Sequence, residues 1–340
     1  MRINAGFMFK IIVALAGMLL VACSHPYPWE KAVEVGPDVV LVPIARDGRT
    51  GYCDKKKQMI IPPWYAGADP FEDGRARVTD GAKYGVIDRT GRNITGYKFD
   101  EAYRFFSEGM LGVKVGNKWG FIDKEGKLAI PLKFDDVGEF HDGLATATID
   151  GKHGYTDRNG DIAIPLEYDH TVKFGEGLGL VQQGKKYWFV DTTGNEVFPD
   201  HFDYAYFFTD GLAWVELNGQ RGFIDHAGKM VIKTNYHWAY PFSEGLATVQ
   251  SSETKKWGFI DTSGHEVIPF IYDSNSTFYD GMAFVTQDGK NFLIDKTGKV
   301  IREVPYRSVG DFHDGIASVI EGEPEFVRSF YIDTDGNEYH

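Results

Sequence analysis

Cysteine is almost missing from this chain: there are two in 340 residues, Cys23 and Cys53. They support no disulfide framework, because Cys23 belongs to the N-terminal leader treated below and Cys53 is then without an intrachain partner. A basic stripe is missing too. The formal net charge is −13, and such an acidic surface repels phosphate backbones, which excludes nucleic-acid binding. No apolar run reaches the ~20 residues of a membrane-spanning helix; Ile11 to Ala22 is about a dozen long. There is no His-Glu-x-x-His, no Cys pair, no Gly-x-Ser-x-Gly and no phosphate-cradling Gly-rich loop. The ten histidines are scattered over variable positions, with His141 and His313 sharing one slot, as surface side chains would be. Adjacent carboxylates such as Asp135 and Asp136 point to opposite faces of a strand, so they make a poor acid–base pair. These absences predict no catalytic residue, no metal site and no cofactor.

What is present in excess is glycine, at 40 residues, and aromatic side chains, at 15%. Both serve a phrase that the chain keeps rewriting. Lys118-Trp119-Gly120-Phe121-Ile122-Asp123 returns as Lys256-Trp257-Gly258-Phe259-Ile260-Asp261, and more loosely around Asp88 and Asp225. Its Asp recurs at 54, 88, 123, 157, 191, 225, 261, 295 and 333, mostly 34 residues apart. A fixed period of this size marks a repeat architecture, in which each unit buries its apolar face against the next. In the unit after Gly143, alternation predicts a strand over Leu144 to Ile149, with Ala145 and Ala147 on one face. Asp150-Gly151-Lys152 turns into a second strand ending at Asp157, and Arg158-Asn159-Gly160 turns into a third, Ile162 to Tyr168.

The recurrent Asp is expected to fix its own Asp-x-x-Gly turn by accepting backbone N–H groups. One carboxylate per unit falls far short of the six to eight oxygens a Ca²⁺ ion takes. Proline at 62, 131, 165, 199 and 269 places the end or the edge of the sheet at the third strand. A Phe-x-Glu/Asp-Gly corner follows, with Phe71, Phe106, Phe140, Phe174, Phe208, Phe242, Phe278 and Phe312 read as core plugs between units. Cys53 fills a slot held elsewhere by Ile87, Ile122, Ile224 and Ile260, which predicts a buried, inert thiol.

These phrases resemble the WG-repeat family, through Trp119-Gly120 and Trp257-Gly258. The resemblance covers residues 39–340, with Tyr84, His153 and Arg221 in the Trp slot and Trp188 and Phe292 in the Gly slot. It implies a structural repeat with no common catalytic activity. The fold class expected is all-β: a tandem array of about nine ~34-residue three-stranded β-meander repeats, open and superhelical or solenoid-like, with a β-propeller as the alternative. The open form is favoured because neither end supplies a strand that completes the other.

Residues 1–22 have the layout of a secretory signal, with Arg2 and Lys10 ahead of the apolar run. Leu20-Val21-Ala22-Cys23 resembles the lipobox of bacterial lipoproteins. The resemblance implies cleavage before Cys23 and its lipidation, and Ser24 favours sorting to the outer membrane. Several acyl chains give durable attachment. Residues 23–38 then read as lipidated Cys and tether.

Subtracting the repeat isolates an aromatic excess. The slot that reads Glu101, Asp136, His170, Ser274 and Ser308 elsewhere holds Tyr204 and Trp238. Two positions on, Tyr206 and Tyr240 replace Gly138, Val172, Ser276 and Gly310, and Trp214 replaces Thr146, Thr248 and Ser318. Equivalent slots stack in a repeat array, so these five side chains are expected to form one patch that binds a protein or peptide partner in the cell envelope. A glycan stacked on the same rings is the alternative.

Overall fold

The computed structural model describes residues 32–234, 236–322 and 327–340; the leader and Cys23 lie outside them. Among the described residues there are nine separate antiparallel sheets and no helix. Each sheet is a contiguous meander and forms one blade: 42–65, 67–88, 101–134, 136–168, 170–190, 204–234, 238–272, 282–304 and 308–339.

Blade 4 shows the full pattern, with strands Asp136–His141, Leu144–Ile149, Lys152–Asp157 and Ile162–Tyr168 in sequence order. The three expected strands are present, and a first strand precedes them where the sequence suggested only a corner. In blades 2, 3, 6, 7 and 9 that strand has two residues, as in Glu101–Ala102 and Trp238–Ala239. The first strands of blades 4 and 5, Asp136–His141 and His170–Gly175, touch each other across their seam.

The two ends of the chain meet. Val42, Ile44 and Cys53 of blade 1 form one buried cluster with Ile316 and Tyr339 of blade 9. Strand Val42–Arg46 lies against strand Arg328–Asp333. The array is therefore a closed nine-bladed propeller, and the open superhelix is not what forms. The expectation failed at one step: closure does not use a strand borrowed from the other terminus. The two end blades pack face to face instead. Blade 1 has no first strand, and Arg104 of blade 3 reaches past it to donate to the Tyr331 hydroxyl of blade 9 at 3.3 Å, with Phe105 against His313 at 5.6 Å.

Three devices recur around the ring. In each of the nine Asp turns, one carboxylate oxygen accepts the N–H groups two and four residues on, as Asp123 does from Glu125 and Lys127, and Asp225 from Ala227 and Lys229. Every corner Phe is buried, and most sit on the aromatic ring that follows the repeat Gly in the preceding blade. Phe140 lies 4.8 Å from Phe121, Phe174 4.8 Å from Tyr155, and Phe242 4.9 Å from Phe223. The corner carboxylate also caps the next corner: Glu108 accepts from Gly143 N, Asp142 from Gly177 N, and Asp210 from Gly245 N.

The repeat Gly has a steric cause. In blade 3, Trp119 pairs with Phe134 but Phe121 with Ile130, so the outer strand bulges opposite Gly120. A Cβ there would lie 2.5 Å from Ile130 O and 2.8 Å from the Pro131 carbonyl. The prolines mark this bulge and not the strand end, since Leu128–Phe134 and Glu266–Tyr272 run on past Pro131 and Pro269. Pro62, Pro131, Pro165 and Pro269 do lie in the outermost strand of their sheets, whereas Pro199 lies outside the strands. In blade 8 the outer strand pairs Phe292 with Glu303 with no register shift at that point, and the Gly slot there accepts a large side chain.

The Asp turns predict an acid limb to stability. The Thr193 hydroxyl and then the Asn195 N–H hold the Asp191 carboxyl down at about 2, against about 3.9 for a free Asp. A depressed folded value stabilises above the unfolded pKa, and that contribution is lost as pH falls through the folded one. Asp191→Asn should thus melt below the parent at pH 6, with the gap closing between about pH 4 and pH 2. A gap that stayed constant across that window would mean the charge on Asp191 contributes nothing.

Candidate functional site

The first strands of blades 6 and 7 carry the aromatic excess. Tyr204 pairs with Glu216 and Trp238 with Gln250. The Tyr206 N–H donates to Trp214 O at 2.9 Å, and Tyr240 N–H to Thr248 O at 3.0 Å. Ala205 and Ala239, between the rings, are buried, so period-two alternation puts Tyr204 with Tyr206 and Trp238 with Tyr240 on one face each.

All five expected side chains come together. Tyr204 lies 5.4 Å from Tyr206, 5.8 Å from Trp214 and 5.3 Å from Trp238. Trp214 is 5.4 Å from Trp238, and Tyr206 stacks on Tyr240 at 6.2 Å. Their depths differ. Trp214 is fully buried, and its Nε1 has no hydrogen-bond partner among the described residues. It is the floor of the cluster, whereas Tyr204, Tyr206, Trp238 and Tyr240 are half-buried and reach solvent. Burial first, then the Tyr206 neighbour, pushes the Tyr204 phenol well above its usual range; it stays a neutral donor at physiological pH.

Sequence reasoning missed three members. Tyr187 touches Tyr204 at 5.6 Å and Trp257 touches Tyr240 at 5.7 Å. Both occupy the repeat's Trp slot, which was the available signal. Tyr236 packs on the same core from the outer side, 5.6 Å from Phe270.

The blade seams also carry charge. Lys118 of blade 3 reaches Asp135 at 2.6 Å, and the other oxygen of Asp135 accepts the Asp150 N–H of the blade 4 hairpin. The same bridge links Lys83 to Asp100, Lys152 to Asp169, Lys186 to Asp203 and Lys256 to Asp273. Between blades 6 and 7 the two slots hold Gln220 and His237, so the Lys–Asp bridge is missing there. Cys53 is free and buried, its thiol pushed up to about 11 by burial. Among the described residues, no group of three or more His, Cys, Asp or Glu side chains is placed to hold a metal.

Fold and repeat together define a nine-bladed propeller built of one recurring unit. The chain belongs to the WG containing repeat family, which matches residues 51–84, 84–119, 119–152, 154–187, 189–220, 222–252 and 257–290. No curated protein matches it. Among solved structures it is similar to the crystal structure of the eukaryotic initiation factor, at 10% identity and a TM-score of 0.60, over 89% of this chain and 95% of that one. That likeness is one of fold alone. Weaker likenesses are the dihydro-heme d1 dehydrogenase NirN, at 12% identity and a TM-score of 0.49 over 92% of this chain and 75% of that one, and AztD from Citrobacter koseri, at 11% and 0.42 over 89% and 93%.

Proposed function

We propose that this protein is a non-catalytic, lipid-anchored scaffold of the bacterial cell envelope that holds a protein or peptide partner on blades 6 and 7. The observation that carries the reading is the contiguous cluster of half-buried rings on a rigid floor, Tyr204, Tyr206, Trp238 and Tyr240 over Trp214. Large aromatic anchors on a pre-formed surface are what concentrate binding energy at protein interfaces. Most of these rings meet edge-to-face or tilted, which suits a partner side chain seated among them better than a sugar stacked flat on one of them. Anchoring rests on the lipobox-like stretch ending at Cys23: the lipidated Cys23 would hold the protein at the membrane, and Ser24 after it favours the outer membrane.

The test is site-directed photo-cross-linking in intact cells, with the probe at Tyr240 and, as a control, at exposed Glu125. A discrete protein adduct is expected from Tyr240 alone. It should disappear when Tyr204→Ala and Trp238→Ala are added at unchanged melting temperature, and Cys23→Ser should release the protein from the membrane fraction. Identical adducts from both probe positions would sink the partner reading; a membrane-bound Cys23→Ser variant would sink the anchor.

A further inference from the structure

We propose that the seam between blades 6 and 7 holds a second site, on its outer side, that binds a carboxylated sugar. Where five other seams carry a Lys–Asp bridge, this one has Gln220 and His237. The hairpin of blade 7 is also longer, since Asp225 and Asp261 stand 36 residues apart against the usual 34. Where the bridge is missing, a cavity of about 660 Å³ opens between the two blades, within the range of small-molecule sites.

Its lining is unlike the rest of the surface. On a chain of net charge −13, the cavity is walled by Arg221 and Lys233, by the amides of Asn218 and Gln220, and by Ser252 and Tyr236, with no carboxylate among the lining residues. Arg221 is held in place: its Nε donates to Glu216 at 2.8 Å and its Nη1 to the His237 carbonyl at 2.8 Å. Lys233 has no ion pair among the described residues. Tyr236, braced on Phe270, gives a flat apolar wall. Arg221 is already paired with Glu216, so Lys233 supplies the charge that selects an anion; amides and hydroxyl groups suit a ring of hydroxyls, and the tyrosine suits the C–H face of a sugar. The site lies on the other side of the core from the four rings proposed as the partner surface, with Tyr236 packed on that shared core, and each reading fails by its own experiment.

The test uses the full-length chain, titrated with D-glucuronate, D-glucose and inorganic phosphate and followed by saturation-transfer NMR. Glucuronate should bind, with glucose about tenfold weaker or more, the loss of one charge-assisted contact. The double variant Gln220→Lys/His237→Asp rebuilds the bridge of the other seams and should abolish binding without lowering the melting temperature. Lys233→Gln, a change at an exposed side chain, should weaken glucuronate about tenfold, and it decides the matter if the double variant does not fold. Absence of glucuronate binding, binding that survives in the folded variants, or phosphate binding as tightly as glucuronate would overturn the proposal; the last outcome would mean a bare anion site.

Discussion

Gly120→Ala is expected to destabilise the protein by about 3 kcal/mol, the upper end of the range for overpacking. The added methyl meets backbone, with Ile130 O at 2.5 Å and the Pro131 carbonyl at 2.8 Å. A flexible side chain could turn aside, but a bulged strand must shift whole. Denaturant unfolding would show a lower midpoint for the variant. The same substitution chemistry is already present in blade 8, where Phe292 fills the Gly slot against an outer strand that pairs without a bulge at that point. Alanine tolerated at position 120 within about 0.5 kcal/mol, the usual range for a neutral surface change, would show that the bulge yields and that the Gly has another cause.

Tyr339→Ala should cost about 3–5 kcal/mol, as for a large aromatic removed from a core, and should act on ring closure in particular. Tyr339 is 1% exposed. Its ring fills the cluster of Val42, Ile44, Cys53 and Ile316 that joins blade 1 to blade 9, and its hydroxyl donates to Asp333 at 2.8 Å. With no shared strand across this seam, side-chain packing is what joins the ends. Limited proteolysis should therefore cut the variant first in blades 1 and 9, while Tyr339→Phe keeps the packing and loses only the hydrogen bond, about 1.5–3 kcal/mol to a charged acceptor. Cleavage spread evenly over all blades would refute a local role.

Much of this was legible because it was repeated. The Asp turn, the corner Phe and the three longer strands each appear in copy after copy, so chance drops out and the pattern is left. The two-residue first strands were not legible, because Tyr204–Ala205 is too short to show any periodicity. The Gly was visible but its reason was not, since the clash depends on the register of Gly120 against Ile130 and Pro131. The five aromatic positions were found by subtraction. That Trp214 lies beneath the others was hidden, because slot arithmetic gives neighbours and not depth. Closure was misread for a similar reason: it rests on the faces of Val42 and Tyr339, and the sequence ends were judged by their strand count.

The face-to-face seam bears on how such a protein changes in length over generations. Each blade is drawn from one continuous stretch of chain, and no blade is shared between the two termini. An in-frame duplication or deletion of one 34-residue period therefore adds or removes a whole blade without orphaning half of another. The closed ring would then have to share the change of angle among all its seams, and the two terminal blades would still have to meet.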